Sequence, residues 1–165
     1  MKINIKKNLN YFLIIFLIFV SDRLSKMYII NLAELKSSVD IYINSYLNFY
    51  LIWNKGIAFG MLSFDHSNLY NLITVIIVII TFSILILSIK SSGIKKYFFL
   101  FIIGGSLGNL FDRFYYSAVP DFIDLHINDF HWFIFNVADI FITLGVICLI
   151  YVEIFLNNEK NEKLI

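Results

Sequence analysis

Apolar residues in this chain fall into long unbroken runs, with the charged residues held to their edges. The run at 67–89 contains no Asp, Glu, Lys or Arg. The run at 97–111 is equally uncharged and reaches spanning length when continued to 116. A third, 132–156, is long enough but holds Asp139 and Glu153, and 8–28 is long enough only with Asp22, Arg23 and Lys26 in its last turns. A helix needs ~20 residues to cross a hydrocarbon core, so the pattern predicts four transmembrane helices at 8–28, 67–89, 97–116 and 132–156.

Between the runs the pattern shortens. Residues 39–44 and 47–54 are rich in Ile, Tyr, Leu and Phe and are separated by Asn44-Ser45, a turn signal. Residues 119–127 and 130–135 flank Asn128-Asp129 in the same way. Both read as strand pairs. The expected fold is therefore an all-α integral membrane protein with a small extracytoplasmic β-element over the helix ends. Residues 1–165 form one membrane-embedded domain in this reading, and the tail at 157–165 is solvated.

Composition agrees. Of 165 residues 59% are hydrophobic and 15% charged, more apolar side chain than a compact soluble domain of this size buries. A net charge of +1 gives no basic excess for nucleic acid. The lone Cys148 excludes a disulfide framework or zinc finger. Lys2, Lys6 and Lys7 ahead of 11–20 resemble a signal peptide, but Ser21-Asp22-Arg23 follows instead of a small-residue cleavage site, so the segment reads as a retained span.

Lysines set the orientation. They precede the first run, join the second to the third as Lys90, Lys95 and Lys96, and follow the fourth as Lys160 and Lys163, whereas 114–131 has neither Lys nor Arg. Both termini are thus expected in the cytoplasm. On that topology Asp22, Arg23, Lys26, Asp112, Arg113 and Asp139 converge on the outer side, with Asp139 roughly 10 Å along its helix from Trp132. Charges at such depth cost a few kcal/mol each and are tolerated mainly where they pair or line a polar cavity.

Asp121 and Asp139 form the sharpest constellation. Two carboxylates sharing a site do not both ionise cheaply, so one keeps a proton while the other activates water, which hydrolyses a peptide without metal or covalent intermediate. The plainer alternative makes Asp121 a solvated loop residue and Asp139 an acid favoured by a helix N-terminus. Gly105, Asn109 and Arg113, at i, i+4 and i+8, share a helix face, and Asn109 and Arg113 there suit a peptide backbone or carboxylate. Alternatively Arg113 pairs with Asp112 or extends outward. Gly104-Gly105-Ser106-Leu107-Gly108 matches a nucleophile-elbow pattern literally but lacks its strand–turn–helix context, and reads as a helix-packing motif. Asp22 and Lys26 read as a local ion pair. Asn54 and Gly56 lie in a turn-forming segment, 54–60, able to offer hydrogen bonds to a ligand. A Ser25–Lys26 dyad is disfavoured because adjacent helix positions diverge. His66, His126 and His131 show no metal-binding spacing, so neither a metal nor a cofactor is expected.

Taken in order, Asp22-Arg23-Leu24-Ser25-Lys26, the segment 54–60, the segment 104–113, Val119-Pro120-Asp121-Phe122-Ile123-Asp124 and Phe135-Asn136-Val137-Ala138-Asp139 resemble the lipoprotein signal peptidase (signal peptidase II) family, whose members are aspartic endopeptidases. The resemblance implies that Asp121 and Asp139 are catalytic, that Asn54, Gly56, Asn109, Arg113 and Asn136 hold the substrate, and that Asp22 and Lys26 support the site. It implies a globomycin-sensitive enzyme of the bacterial inner membrane that removes signal peptides from diacylglyceryl-modified prolipoproteins, cutting before the lipidated cysteine. Its partners would be those substrates and membrane lipid, and it would act as a monomer. A proton or cation transporter would need a polar track to the cytoplasmic side, and a non-catalytic assembly factor would use the outer acids for docking. Neither accounts for five motifs in order.

Overall fold

The computed structural model describes residues 5–36, 38–56, 67–128 and 130–156. Among them the order is α1 (Ile5–Lys36), β1 (Asp40–Asn44), β2 (Leu47–Asn54), α2 (Ser67–Lys90), α3 (Gly93–Tyr116), β3 (Val119–Ile127), β4 (Phe130–Phe135) and α4 (Val137–Tyr151), which ends in a π-helical turn at Val152–Leu156. The segment at 57–60 of the 54–60 motif and the tail at 157–165 lie outside the described residues.

Two helix bounds differ most from expectation. The first helix does not stop near 28 but runs to Lys36. Its extension includes Leu32, Ala33, Glu34 and Leu35, all good helix formers, and Ile29 packs with Val39 and Phe122 into a small core flanked by Leu32 and Ala33. The fourth helix begins at Val137, not at 132. The apolar run at 132–135 has a strand partner, Ile123↔Phe135 and Asp124↔Ile134, and that ladder wins over helix. Asp139 is consequently the third residue of α4, not about two turns inside it. Asn136 is the N-cap: its side chain accepts the Asp139 backbone N–H, and the Asp139 carboxylate accepts the Asn136 N–H in return.

The strands form one antiparallel sheet in the order β1-β2-β3-β4. Its central pairing, from Leu47↔Leu125 to Asn54↔Val119, joins the segment after α1 to the segment after α3. The register slips between Phe49 and Ile52, beside Asp121, the kind of irregularity that re-aims side chains near a site.

α3 packs against α1 and α4 along a glycine seam. A Cβ on Gly104 would meet Ile18 of α1 at 2.9 Å, one on Gly105 the Ala138 carbonyl oxygen at 2.5 Å, and one on Gly108 an Asp22 carboxylate oxygen at 2.5 Å. Gly145 of α4 answers with a similar approach to Ile102 and the Phe98 carbonyl. These glycines lie mid-helix, so the packing reading holds and the elbow reading fails.

The helices are inverted relative to a water-soluble bundle. Asp22, Lys26 and Asp112 are fully buried, while Ile79, Phe82 and Phe114 are 59%, 62% and 70% exposed. On α2 the inward residues include Thr74 and Thr81, whose hydroxyls donate to the Tyr70 and Ile77 carbonyls one turn back. Such a distribution suits hydrocarbon as the surrounding solvent. The stretches Asn68–Lys90 and Val137–Phe155 are long and apolar enough to cross a membrane. α1 and α3 have the length and carry the charges.

Candidate active site

Asp121 arrives from strand β3 and Asp139 from the first turn of α4, and both line one cavity of about 380 Å³ with Asn54, Ser106, Asn109, Arg113 and Asn136. Each carboxylate is held by amides. Asp121 Oδ1 accepts from Asn136 Nδ2 at 2.6 Å and Oδ2 from Asn54 Nδ2 at 2.8 Å. Asp139 Oδ1 accepts from Asn109 Nδ2 at 2.8 Å, and Oδ2 from the Asn136 backbone N–H at 3.2 Å. Asn136 thus touches both acids, one through its side chain and one through its cap. Burial, and then the neighbouring Asp139, push the Asp121 carboxyl up to about 7, so it retains a proton where an ordinary aspartate would not.

The asparagines are themselves anchored. Asn54 Oδ1 accepts the Gly56 N–H at 2.8 Å, closing an Asx turn. The Gly56 carbonyl accepts from Arg113 Nη2. Arg113 lies over the Tyr70 ring, 5.3 Å from its centroid. Its Nη1 is buried and, among the described residues, has no hydrogen-bond partner. A guanidinium N–H left unmatched at a cavity wall is costly unless a ligand accepts it.

Behind Asp139 lies an ionic cluster. The Lys26 ammonium donates to Asp22 at 2.9 Å, Asp112 at 2.7 Å and the Asn109 side-chain oxygen at 2.9 Å. Asp112 also pairs with Arg23 at 2.5 Å, and Arg23 sits over the Phe111 ring. The second Asp22 oxygen accepts the Ala138 N–H at 3.0 Å, so an α1 carboxylate caps the N-terminus of α4.

All nine residues singled out from sequence meet in this region: Asp121, Asp139, Asn54, Gly56, Asn109, Arg113 and Asn136 at the cavity or its wall, Asp22 and Lys26 behind it. The Asp22–Lys26 pair is present but is not merely local, since Lys26 crosses to α3. Arg113 does not pair with Asp112, which belongs to Lys26 and Arg23. The Ser25 hydroxyl donates to the Asp22 carbonyl, away from Lys26. Sequence reasoning missed Arg23 and Asp112 as partners across α1 and α3. Their only signal was two more charges at the edges of apolar runs.

Residues 14–155 match the family described as signal peptidase (SPase) II. A lipoprotein signal peptidase of Pelagibacter ubique (strain HTCC1062) is 56% identical over 98% of both chains. One from Anaplasma phagocytophilum (strain HZ) is 38% identical over 94% of this chain and 99% of its own. A solved bacterial membrane enzyme superposes with a TM-score of 0.70 at 25% identity, covering 92% of this chain and 90% of that one. A second gives 0.66 at 26% identity over 88% and 93%. With a family match over most of its length and a relative at 56% identity end to end, this chain belongs to the signal peptidase II family of peptidases.

Proposed function

We propose that the chain is an aspartic endopeptidase of the bacterial inner membrane that removes signal peptides from diacylglyceryl-modified prolipoproteins, with Asp121 and Asp139 as its catalytic pair. The observation that carries this reading is the convergence of two buried carboxylates on one cavity, each fixed by amide donors. One aspartate takes a proton from a bound water as its oxygen adds to the scissile carbonyl carbon. The other gives its proton to the carbonyl oxygen. Collapse of the tetrahedral intermediate breaks the C–N bond: the proton gained from water passes to the leaving nitrogen, and the second aspartate takes back a proton from the diol as the new carboxyl forms.

Positioning falls to the neutral donors and Arg113. Its unpartnered Nη1 is placed to take a substrate carbonyl, and Asn54 and Asn109 orient the Asp121 and Asp139 carboxylates. The cavity continues past Ile77, Ile142, Val146 and Ile147, a wall suited to an apolar signal segment. A neighbouring apolar cavity of about 450 Å³ between Trp132, Phe135, Ile140 and Leu144 also touches Asp139, which suits lipid tails.

In this reading α1–α4 are four spans of one membrane-embedded domain, 1–165, acting as a monomer. Both termini face the cytoplasm, and the sheet and cavity face the outer leaflet. The test is cleavage of a diacylglyceryl-modified prolipoprotein peptide beside its unlipidated twin, with and without globomycin. Cleavage of the lipidated peptide alone, blocked by globomycin, is expected. A correctly inserted protein that cuts neither would overturn the reading in favour of an ion carrier or docking factor.

A further inference from the structure

We propose that Asp124, His126 and His131 form a binding site for one divalent transition-metal ion, with zinc as the test ion, on the β3–β4 hairpin. Asp124 and His126 are two apart on a strand and so share a face. His131 is the antiparallel partner of His126 across the ladder. The hairpin alone therefore gathers the three side chains, none of which lines the catalytic cavity.

The geometry fits an ion. His131 Nδ1 lies 3.1 and 2.9 Å from the two Asp124 oxygens, and His126 Nδ1 lies 3.8 Å from the nearer one. One donor atom from each residue falls within 4.8 Å of the others. A tetrahedral ion with bonds of about 2 Å holds its donors about 3.3 Å apart, inside the span seen here. The two imidazoles stack, with centroids 5.1 Å apart.

Two groups lack what a metal supplies. The His126 side chain is 9% exposed, and its Nδ1 is buried without a hydrogen-bond partner among the described residues. Its backbone N–H is fixed to the Tyr46 carbonyl at 3.0 Å, so the ring is held in place by the sheet. The Asp124 side chain is 5% exposed, and among the described residues its partners are these two rings, with no Lys or Arg. His131, 56% exposed, leaves a way in and an open position for water. Two nitrogens and one carboxylate suit zinc, copper or nickel; magnesium and calcium prefer all-oxygen shells.

Such an ion would clip β3, which carries Asp121, to β4, which leads into Asn136 and Asp139. Full-length protein in detergent, stripped with chelator, is titrated with zinc by calorimetry, and its Tm is followed. One equivalent per chain and a Tm that climbs with zinc concentration are expected. His131→Ala, a change at an exposed position, should weaken binding at least tenfold and remove the Tm rise, with Asp124→Asn doing the same. Cys148→Ser should bind as the wild type does, and magnesium should have no effect. Absence of saturable zinc binding, or binding undiminished in His131→Ala, would overturn the site whether or not the protein cleaves peptides.

Discussion

Lys26 has no contact with water, and its ammonium is fully committed to Asp22, Asp112 and Asn109. Removing one partner of a buried ion pair leaves the others uncompensated and costs about 3–5 kcal/mol. Lys26→Met should therefore lower the temperature of inactivation in detergent. It should also reduce kcat well below that temperature, because Asn109 loses the contact that aims its amide at Asp139. A variant with wild-type Tm and kcat would contradict the role. Asp121 makes a second residue-scale prediction. Its carboxyl, near 3.8 when unperturbed, holds its proton to about 7 in the fold. The stability linked to that proton is fully present below about pH 3.8 and is lost as pH rises through about 7, a change on the order of 4 kcal/mol. Tm measured from pH 5 to 8 should fall in the wild type and fall less steeply in Asp121→Asn. Peptide cleavage should decline over the same rise, as the pair loses its shared proton.

Close helix contact, not propensity, holds Asp139 in place. Gly105→Ala would set a methyl 2.5 Å from the Ala138 carbonyl, against rigid backbone. Overpacking of this kind costs about 1–3 kcal/mol, and here it displaces the first turn of α4. Activity should drop more than stability does, a split visible by comparing kcat with Tm; equal losses would point to packing alone. The elements themselves were largely legible. The turn signals Asn44-Ser45 and Asn128-Asp129 bracket strands found within a residue of expectation, and Asn128 takes the left-handed φ of 50° that such a turn favours. The run at 132–135 was ambiguous because apolar residues satisfy helix and strand equally; only its ladder with β3 decides. Pairing of β2 with β3 joins residues 65 apart, Asn54 and Val119, and no local pattern encodes it. For the same reason Arg23 and Asp112 were not seen as partners, whereas ordered motifs drew attention to all nine site residues. The Asp124–His126–His131 cluster matches no metal-binding spacing along the chain, because His131 reaches the other two only through the register of β3 with β4.

Across the described residues, the buried charged groups gather at one end of a bundle whose flanks are apolar, on and beside the sheet. If the four helices cross the membrane as proposed, single cysteines introduced into a Cys148→Ser background should report it. A cysteine at Asn44 should react with an impermeant maleimide in spheroplasts, and one at Ser92 should react only after lysis. The reverse pattern would invert the topology. The central claim is that Asp121 and Asp139 together perform hydrolysis. Its most direct test is single-turnover cleavage of a lipidated prolipoprotein peptide by wild type, Asp121→Asn and Asp139→Asn, each shown to be folded by its Tm. Each substitution alone should lower the rate by at least a thousandfold, near the scale of lost acid–base catalysis, and the double variant should be little worse. Near-normal cleavage by a folded Asp139→Asn protein would contradict it.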